Sequence, residues 1–539
     1  MKPVWKWGLS VAIGLLVVLL CANWWVNRRW VPGLETRLNN ALAAAIDSVY
    51  RLTYDSLRMS FFSGSAVANN VRLIPDTAAQ KTLYDVRIAQ LRVGGVGLLR
   101  LLFSGKLSVN TIILDKPMVK LTVGREPDTA RRDTAAPLLE RLQDVLDGVR
   151  VTRIAVKRGQ MELAAQRDAR HLVVRRIDGT IRDVRIDSAA RRDTTRLYYA
   201  KGWDVDVAGV SYLRPDSSYR FALGALRLDM HGRELLMRDL RYGPTVGKGA
   251  FYSRVGRAAD MIDMRMGLVK LAGFDVARWT ADGLLAAAAL HIDTAEISIY
   301  KDKRLPNPPE NKLGKSPHQQ LMAWKQRLRI DSARLHALDV AFTEVSDKTG
   351  KAGTVTFERT AAVIRNLTND TATLRGDRFM TLDAQTKVMG AGDLSVRFRF
   401  DMLDSLGGHT YTAKLGPMDG RAFNRMLTPH LNVEVEQARI RGMRFEMKAN
   451  DRRTEGTLRF DYQGLKVNLL AGSGPKAGER KSVVSFFANR FLLNDSNPDA
   501  NGEYHAGTVY IARPKTFSFF KMIWRSIREG TKECIGLGG

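Results

Sequence analysis

A mostly β protein behind one N-terminal hydrophobic segment is what this sequence predicts. Three observations lead there. Apolar and polar residues alternate with a period of two over most of the chain beyond residue 50. Helical periodicity is confined to a few short stretches. Only two cysteines occur, Cys21 and Cys534, so packing and backbone pairing rather than a disulfide framework must hold the fold.

The first element is residues 7–26, WGLSVAIGLLVVLLCANWWV, twenty residues without a charge. At about 1.5 Å per residue this run reaches about 30 Å, the thickness of a bilayer core. Lys2 and Lys6 flank it on one side and Arg28 and Arg29 on the other, with Trp5, Trp7, Trp24, Trp25 and Trp30 at its edges. The run is longer than a secretory h-region and no A-x-A site follows it, which favours a signal-anchor over a cleaved signal peptide. A short basic leader before a first hydrophobic segment sets the N-terminus in the cytosol and everything after Val26 across the membrane.

Short helices come next. Leu34, Leu38, Leu42, Ala45, Ile46 and Val49 lie on one face of a helix over 34–49. Another is expected over 137–148, ended by Gly148, and a third over 317–327, with Ser316 as N-cap and Pro317 at its first position. A fourth is expected at 421–427, and 281–290 is ambiguous between helix and strand.

The remainder reads as strands. In 394–402, Leu394, Val396, Phe398, Phe400 and Met402 point one way and Ser395, Arg397, Arg399 and Asp401 the other. Val119, Leu121 and Val123 alternate similarly, as do Leu290 with Ile292 and Ile297 with Ile299. Gly159, Gly179, Gly232, Gly353, Gly442, Gly456 and Gly464 are expected to separate the runs as turns. Polar linkers are expected at 124–136, 188–195, 301–316, 471–481 and 493–503. A loose repeat of two apolar alternations joined by a polar break starts at Leu107, Val151, Leu290, Leu328 and Leu431, and reads as one hairpin design reused.

An apolar sheet face must be covered, and the predicted helices are too few to cover so many strands. A sandwich of two sheets, a closed barrel, or a sheet curled around an apolar groove each meet that requirement. Open sheets rarely exceed about ten strands without curling or splitting. From pattern alone, a long groove and an array of sandwiches both stand.

The block Val86–Val123 ends in a recurrent shape carried by Leu101, Gly105, Leu107, Ile112, Pro117 and Val119. Asp302, Lys303, Arg304 and Pro306 follow a strand, and Gly353 and Phe357 precede Asn366, Leu367, Thr368 and Asn369. With the anchor, the short helix and the strands of 56–76, these features make the chain resemble the AsmA-like family, grouped with TamB-like and other repeating β-groove proteins, in its Bacteroidetes-type form. The resemblance implies a mostly β fold: a long curled antiparallel β-sheet groove with an N-terminal transmembrane helix and a few short helices. It implies a signal-anchor at 1–30, a periplasmic β-groove region at 31–510 and a C-terminal amphipathic helix at 511–539. It further implies a single pass through the inner membrane with the bulk of the chain periplasmic, acyl chains of phospholipid or another lipid held in the groove, and support for lipid transfer or outer-membrane homeostasis. An assembly scaffold for outer-membrane protein clients, or an envelope protein of β-sandwich domains that transports nothing, are the alternatives.

The expected groove lining is Val119, Leu121, Ile292, Ile299, Val396, Phe398 and Phe400. In 515–532, Phe519, Phe520, Ile523, Trp524 and Ile527 form one helical face with Lys521, Arg525, Arg528 and Lys532 off it. A basic amphipathic helix with aromatics reads either as a membrane-interface element or as a helix docked on the last strands.

Lys and Arg total 84 against 56 Asp and Glu, a formal charge of +28. No zinc-finger spacing, K-homology loop or aromatic RNA-binding motif accompanies that charge, so nucleic acid is not an expected partner. Envelope proteins and the inner and outer membranes are. Neither H-E-x-x-H nor G-x-S-x-G occurs, and 243–249 (GPTVGKG) departs from a phosphate-binding loop. No catalytic residue, metal or cofactor is expected, and no enzyme.

Overall fold

The computed structural model describes residues 50–60, 64–75, 83–97, 107–123, 149–165, 168–169, 171–193, 195–197, 199–470, 480–481 and 494–537. The hydrophobic segment, the predicted helices at 34–49 and 137–148, and Leu101 and Gly105 lie outside them. Among the described residues no helix is long and apolar enough to cross a membrane. The chain is mostly β, built as long mixed sheet that does not close on itself, and it divides into two compact units. One comprises the described part of Met1–Leu240 with Gly273–Asp282, the other Arg241–Ala272 with Gly283–Gly539.

In the first unit Ser65–Pro75 pairs antiparallel with Leu83–Val96, and that strand with Leu107–Val123. Leu107–Val123 and Val149–Ala165 then run parallel. Antiparallel pairing resumes through His171–Ile186, Ala200–Leu213 and Tyr219–Asp229. The second unit repeats this order. Met261–Ala272 is antiparallel to Leu285–Asp302, which is parallel to Leu328–Val345. Antiparallel neighbours follow through Ala352–Thr368, Phe379–Val388, Gly392–Asp401, His409–Leu415, Val433–Ala449, Arg453–Leu470 and Ala506–Ala512. The sheet is therefore mixed rather than wholly antiparallel as expected. The parallel partners are separated in sequence by residues 124–148 and 303–327, each length sufficient for the return of roughly a dozen or more residues that a parallel crossover requires. The helix Pro317–Ala323 sits in the second return, begun by Ser316 and Pro317 as predicted, with the Ser316 amide donating to Gln319 Oε1 at 3.0 Å.

The expected hairpins are single long strands. Leu107–Val123, Val149–Ala165, Leu285–Asp302, Leu328–Val345 and Val433–Ala449 each run unbroken through the polar break. In Val149–Ala165, Leu328–Val345 and Val433–Ala449 a bulge absorbs the break instead of a turn, whereas Leu107–Val123 and Leu285–Asp302 keep one register throughout. In Val149–Ala165 the register shifts around Gly159, next to Arg158 at φ 54°; the extra residue lets alternation resume on the same face. The Arg158 amide donates to Asp178 Oδ1 on the neighbouring strand at 2.8 Å. In the second unit the Arg359 amide, at φ 51°, donates likewise to Asp339 Oδ1 at 2.6 Å. Consequently Gly159, Gly179, Gly353, Gly442, Gly456 and Gly464 lie inside strands, and of the seven only Gly232 occupies a turn. The ambiguous 281–290 resolves into the end of the helix Val276–Asp282 and the start of the strand at Leu285. The stretch 421–427 becomes a 3₁₀ turn, Gly420–Phe423, and a helix, Asn424–Leu431.

Each unit has its own core. In the first, Val109, Val151 and Val184 are fully buried among Ile112, Ile154 and Ile186. In the second, Tyr411, Met447, Leu458 and Tyr462 centre a cluster completed by Cys534, and Leu374, Phe400 and Phe519 form a smaller one.

Candidate functional site

Directly opposed residues on paired strands share a face. In the second unit the register therefore aligns one apolar row across nine strands: Val269, Ile292, Leu335, Ala362, Ala384, Val396, Ala413, Phe445 and Leu458. Only Val269, Ala413 and Leu458 in this row are buried; the other six are half-buried, so the row is not sealed by protein. A second row, Ile262, Ile299, Phe342 and Val355, is half-buried throughout. Three expected lining residues, Ile292, Ile299 and Val396, thus stand on partly open apolar rows.

The other four have protein over them. Leu121 is 3% exposed and Val119 is half-buried against the first unit's core. Phe398 stacks on Phe400 with centroids 5.5 Å apart, and Phe519 of the C-terminal helix (Phe519–Cys534) lies 5.9 Å from Phe398 and 6.2 Å from Phe400. His318 caps Phe400 from its other neighbour, 4.8 Å away.

The C-terminal helix docks on the sheet. Ser518 accepts from the Lys521 amide as N-cap, and the buried seam is Phe519, Met522, Ser526, Gly530 and Cys534. This differs from the expected face. Phe519, Ile523 and Ile527 do turn to the sheet, whereas Phe520 is 71% exposed and Trp524 43%. The reason is backbone proximity. A Cβ on Gly507 would collide with the Gly530 carbonyl oxygen, and one on Gly530 would sit 2.9 Å from Leu458 Cβ. Only small residues allow that approach, so Ser526, Gly530 and Cys534, spaced four apart, set the rotation of the helix and leave the larger Phe520 and Trp524 outside. Lys521 Nζ lies 3.9 Å over the Phe517 ring beside that outward pair.

A polar knot holds this end of the unit. Arg513 donates to Asp451 Oδ1 at 2.8 Å with both side chains nearly inaccessible. Asp451 Oδ2 accepts from the Gly314 amide and from Gln319 Nε2. Beside it, neither ring nitrogen of His318 finds a hydrogen-bond partner among the described residues. Burial, with the neighbouring His409 adding to it, pushes the His318 pKa down to about 4. Among the described residues one set, Asp499, Glu503 and His505, brings three potential metal-ligand atoms within 4.8 Å. The Asp499 carboxylate there already accepts from the Asn501 and Glu503 amides. Sequence reasoning missed the small-residue seam and the Asp451 knot. The spacing of Ser526, Gly530 and Cys534 was the available signal for the first; the second joins residues 62 to 137 positions apart and left none. No family model matches the chain, and no curated protein matches it.

Proposed function

We propose that this chain binds lipid acyl chains along the half-buried apolar rows of its second unit, and that it serves phospholipid transfer or outer-membrane homeostasis from an inner-membrane anchor. The observation that supports the reading is the row from Val269 to Leu458, in which six of nine apolar residues keep open surface on a face whose other side carries arginine. A protein-only core of the kind centred on Val109 and Val151 would have sealed such a row. An apolar row offsets the cost of about 0.8 kcal/mol per methylene that an acyl chain leaving the bilayer for water would carry, so exchange between bilayer and row is close to neutral. The resemblance to AsmA-like proteins agrees with this use of an open apolar sheet, and in that setting residues 1–30 hold the chain at the membrane. The outward aromatics Phe520 and Trp524 beside Lys521 and Arg525 give the docked helix a surface of interfacial character. Mass spectrometry of lipid extracted from the purified full chain tests the reading. Stoichiometric phospholipid or another acyl lipid is expected; a chain that remains folded and lipid-free after purification from membranes contradicts it.

A further inference from the structure

We propose that the opposite, arginine-bearing face of the second unit holds a binding site for a ligand carrying two or more phosphate groups, centred on Lys414, Arg444 and Arg459. The proposal does not rest on the acyl-chain reading. Register places Lys414 opposite Arg444 and Arg444 opposite Arg459 on three successive strands. Their Cα atoms are then about 4.5–5.5 Å apart and their side chains share one face. Like charges so opposed destabilise a sheet.

At two other places in the sheet clustered arginines share a carboxylate. Arg150 and Arg185 are opposed and share Asp183, at 3.8 and 3.1 Å. Arg365 and Arg397 flank Asp383, with Arg365 at 2.9 Å. Among the described residues no carboxylate pairs with Lys414, Arg444 or Arg459; Arg459 instead lies 4.6 Å over the Tyr504 ring. The row lines a recess of about 910 Å³ that also presents the Ser395, Thr412 and Thr457 hydroxyls and Arg334, with Leu335, Ala362, Ala384, Val396, Ala413 and Phe445 of the apolar row bordering it between them. The acids in it are Asp383, already held between its two arginines, and Glu446, two positions along the strand from Arg444. Cations thus exceed available carboxylates in a concave surface where hydroxyls can donate to anionic oxygens. Two guanidinium forks and an ammonium in line suit adjacent phosphates, which concentrate more charge than carboxylates do and accept bidentate pairs.

Titration of the full chain with inorganic tripolyphosphate, and cosedimentation with phosphatidylcholine vesicles containing cardiolipin, test this. The triple variant Lys414→Gln, Arg444→Gln, Arg459→Gln is expected to weaken tripolyphosphate binding at least about tenfold, as loss of charged hydrogen bonds implies. Because the three side chains are exposed and repel one another, its urea midpoint should equal or exceed the native one. A control with the same charge change on exposed residues of the first unit, Arg58→Gln, Arg72→Gln, Arg220→Gln, should alter binding less than about twofold, since it touches no recess residue. Dependence on the row in both arms identifies phosphate of a lipid headgroup; dependence in the soluble arm alone identifies a soluble phosphate. Equal losses in the two variants, no binding by the native chain, or tighter binding of polyglutamate than of tripolyphosphate overturns the proposal.

Discussion

His318 ties the stability of the fold to pH. It packs between Phe400 and His409, with Asp451, Asp404 and Arg513 as the charged groups nearby. Its folded pKa of about 4 lies below the ordinary 6.5. As pH falls, the unfolded chain takes up the proton first, so stability present above about pH 6.5 is lost progressively toward pH 4. The loss amounts to on the order of 2–3 kcal/mol at the acid end. Burial lowers the His409 pKa as well and acts in the same direction. Urea midpoints measured at pH 7 and pH 5 should therefore differ in the native chain, and His318→Phe should remove most of the difference. An undiminished slope in the variant would assign the effect to other groups. Nothing in the local sequence PHQQL marks His318 as buried; its environment comes from Phe400 and His409, 82 and 91 residues away in the chain.

At the scale of elements, the C-terminal helix separates two kinds of aromatic residue that periodicity alone placed together. Phe519 and Phe520 are adjacent in sequence, yet one is 6% exposed and the other 71%. Phe519→Ala should cost about 3–5 kcal/mol in urea unfolding, because it opens a cavity against Phe398, Phe400 and His409. Phe520→Ala should stay within about 0.5 kcal/mol. Comparable losses from both would mean that the helix is rotated from the seam described. The long strands teach a similar lesson. Their alternation was legible, as in His409–Leu415, where buried and exposed residues strictly alternate. The polar breaks were legible too, but the break at Gly159 read as a turn was a bulge, because Asp178 on the neighbouring strand binds the Arg158 amide and lets the strand continue. That partner is invisible in any local window.

For the whole molecule, the strand-rich class followed from period-two patterning, whereas the two parallel pairs did not. Sequence gives no register, and a polar linker long enough to be a loop is also long enough to be a crossover. The same limit applied to the candidate lining. Apolar periodicity marks the face a residue occupies but not what lies over it, so Ile292, Ile299 and Val396 on open rows read alike with Phe400 beneath a helix and Leu121 in a closed core. Photo-crosslinking in native membranes separates these cases most directly, with the reactive side chain placed in turn at Ile292, Val396, Thr410 and Leu121 of the full chain. Lipid adducts at Ile292 and Val396, with none at Thr410 on the opposite face outside the cationic recess or at Leu121 in the core, are the expected result. Adducts as abundant at Thr410 as at Val396, or none at Ile292 and Val396 in a folded chain, would contradict acyl-chain binding on the open apolar rows.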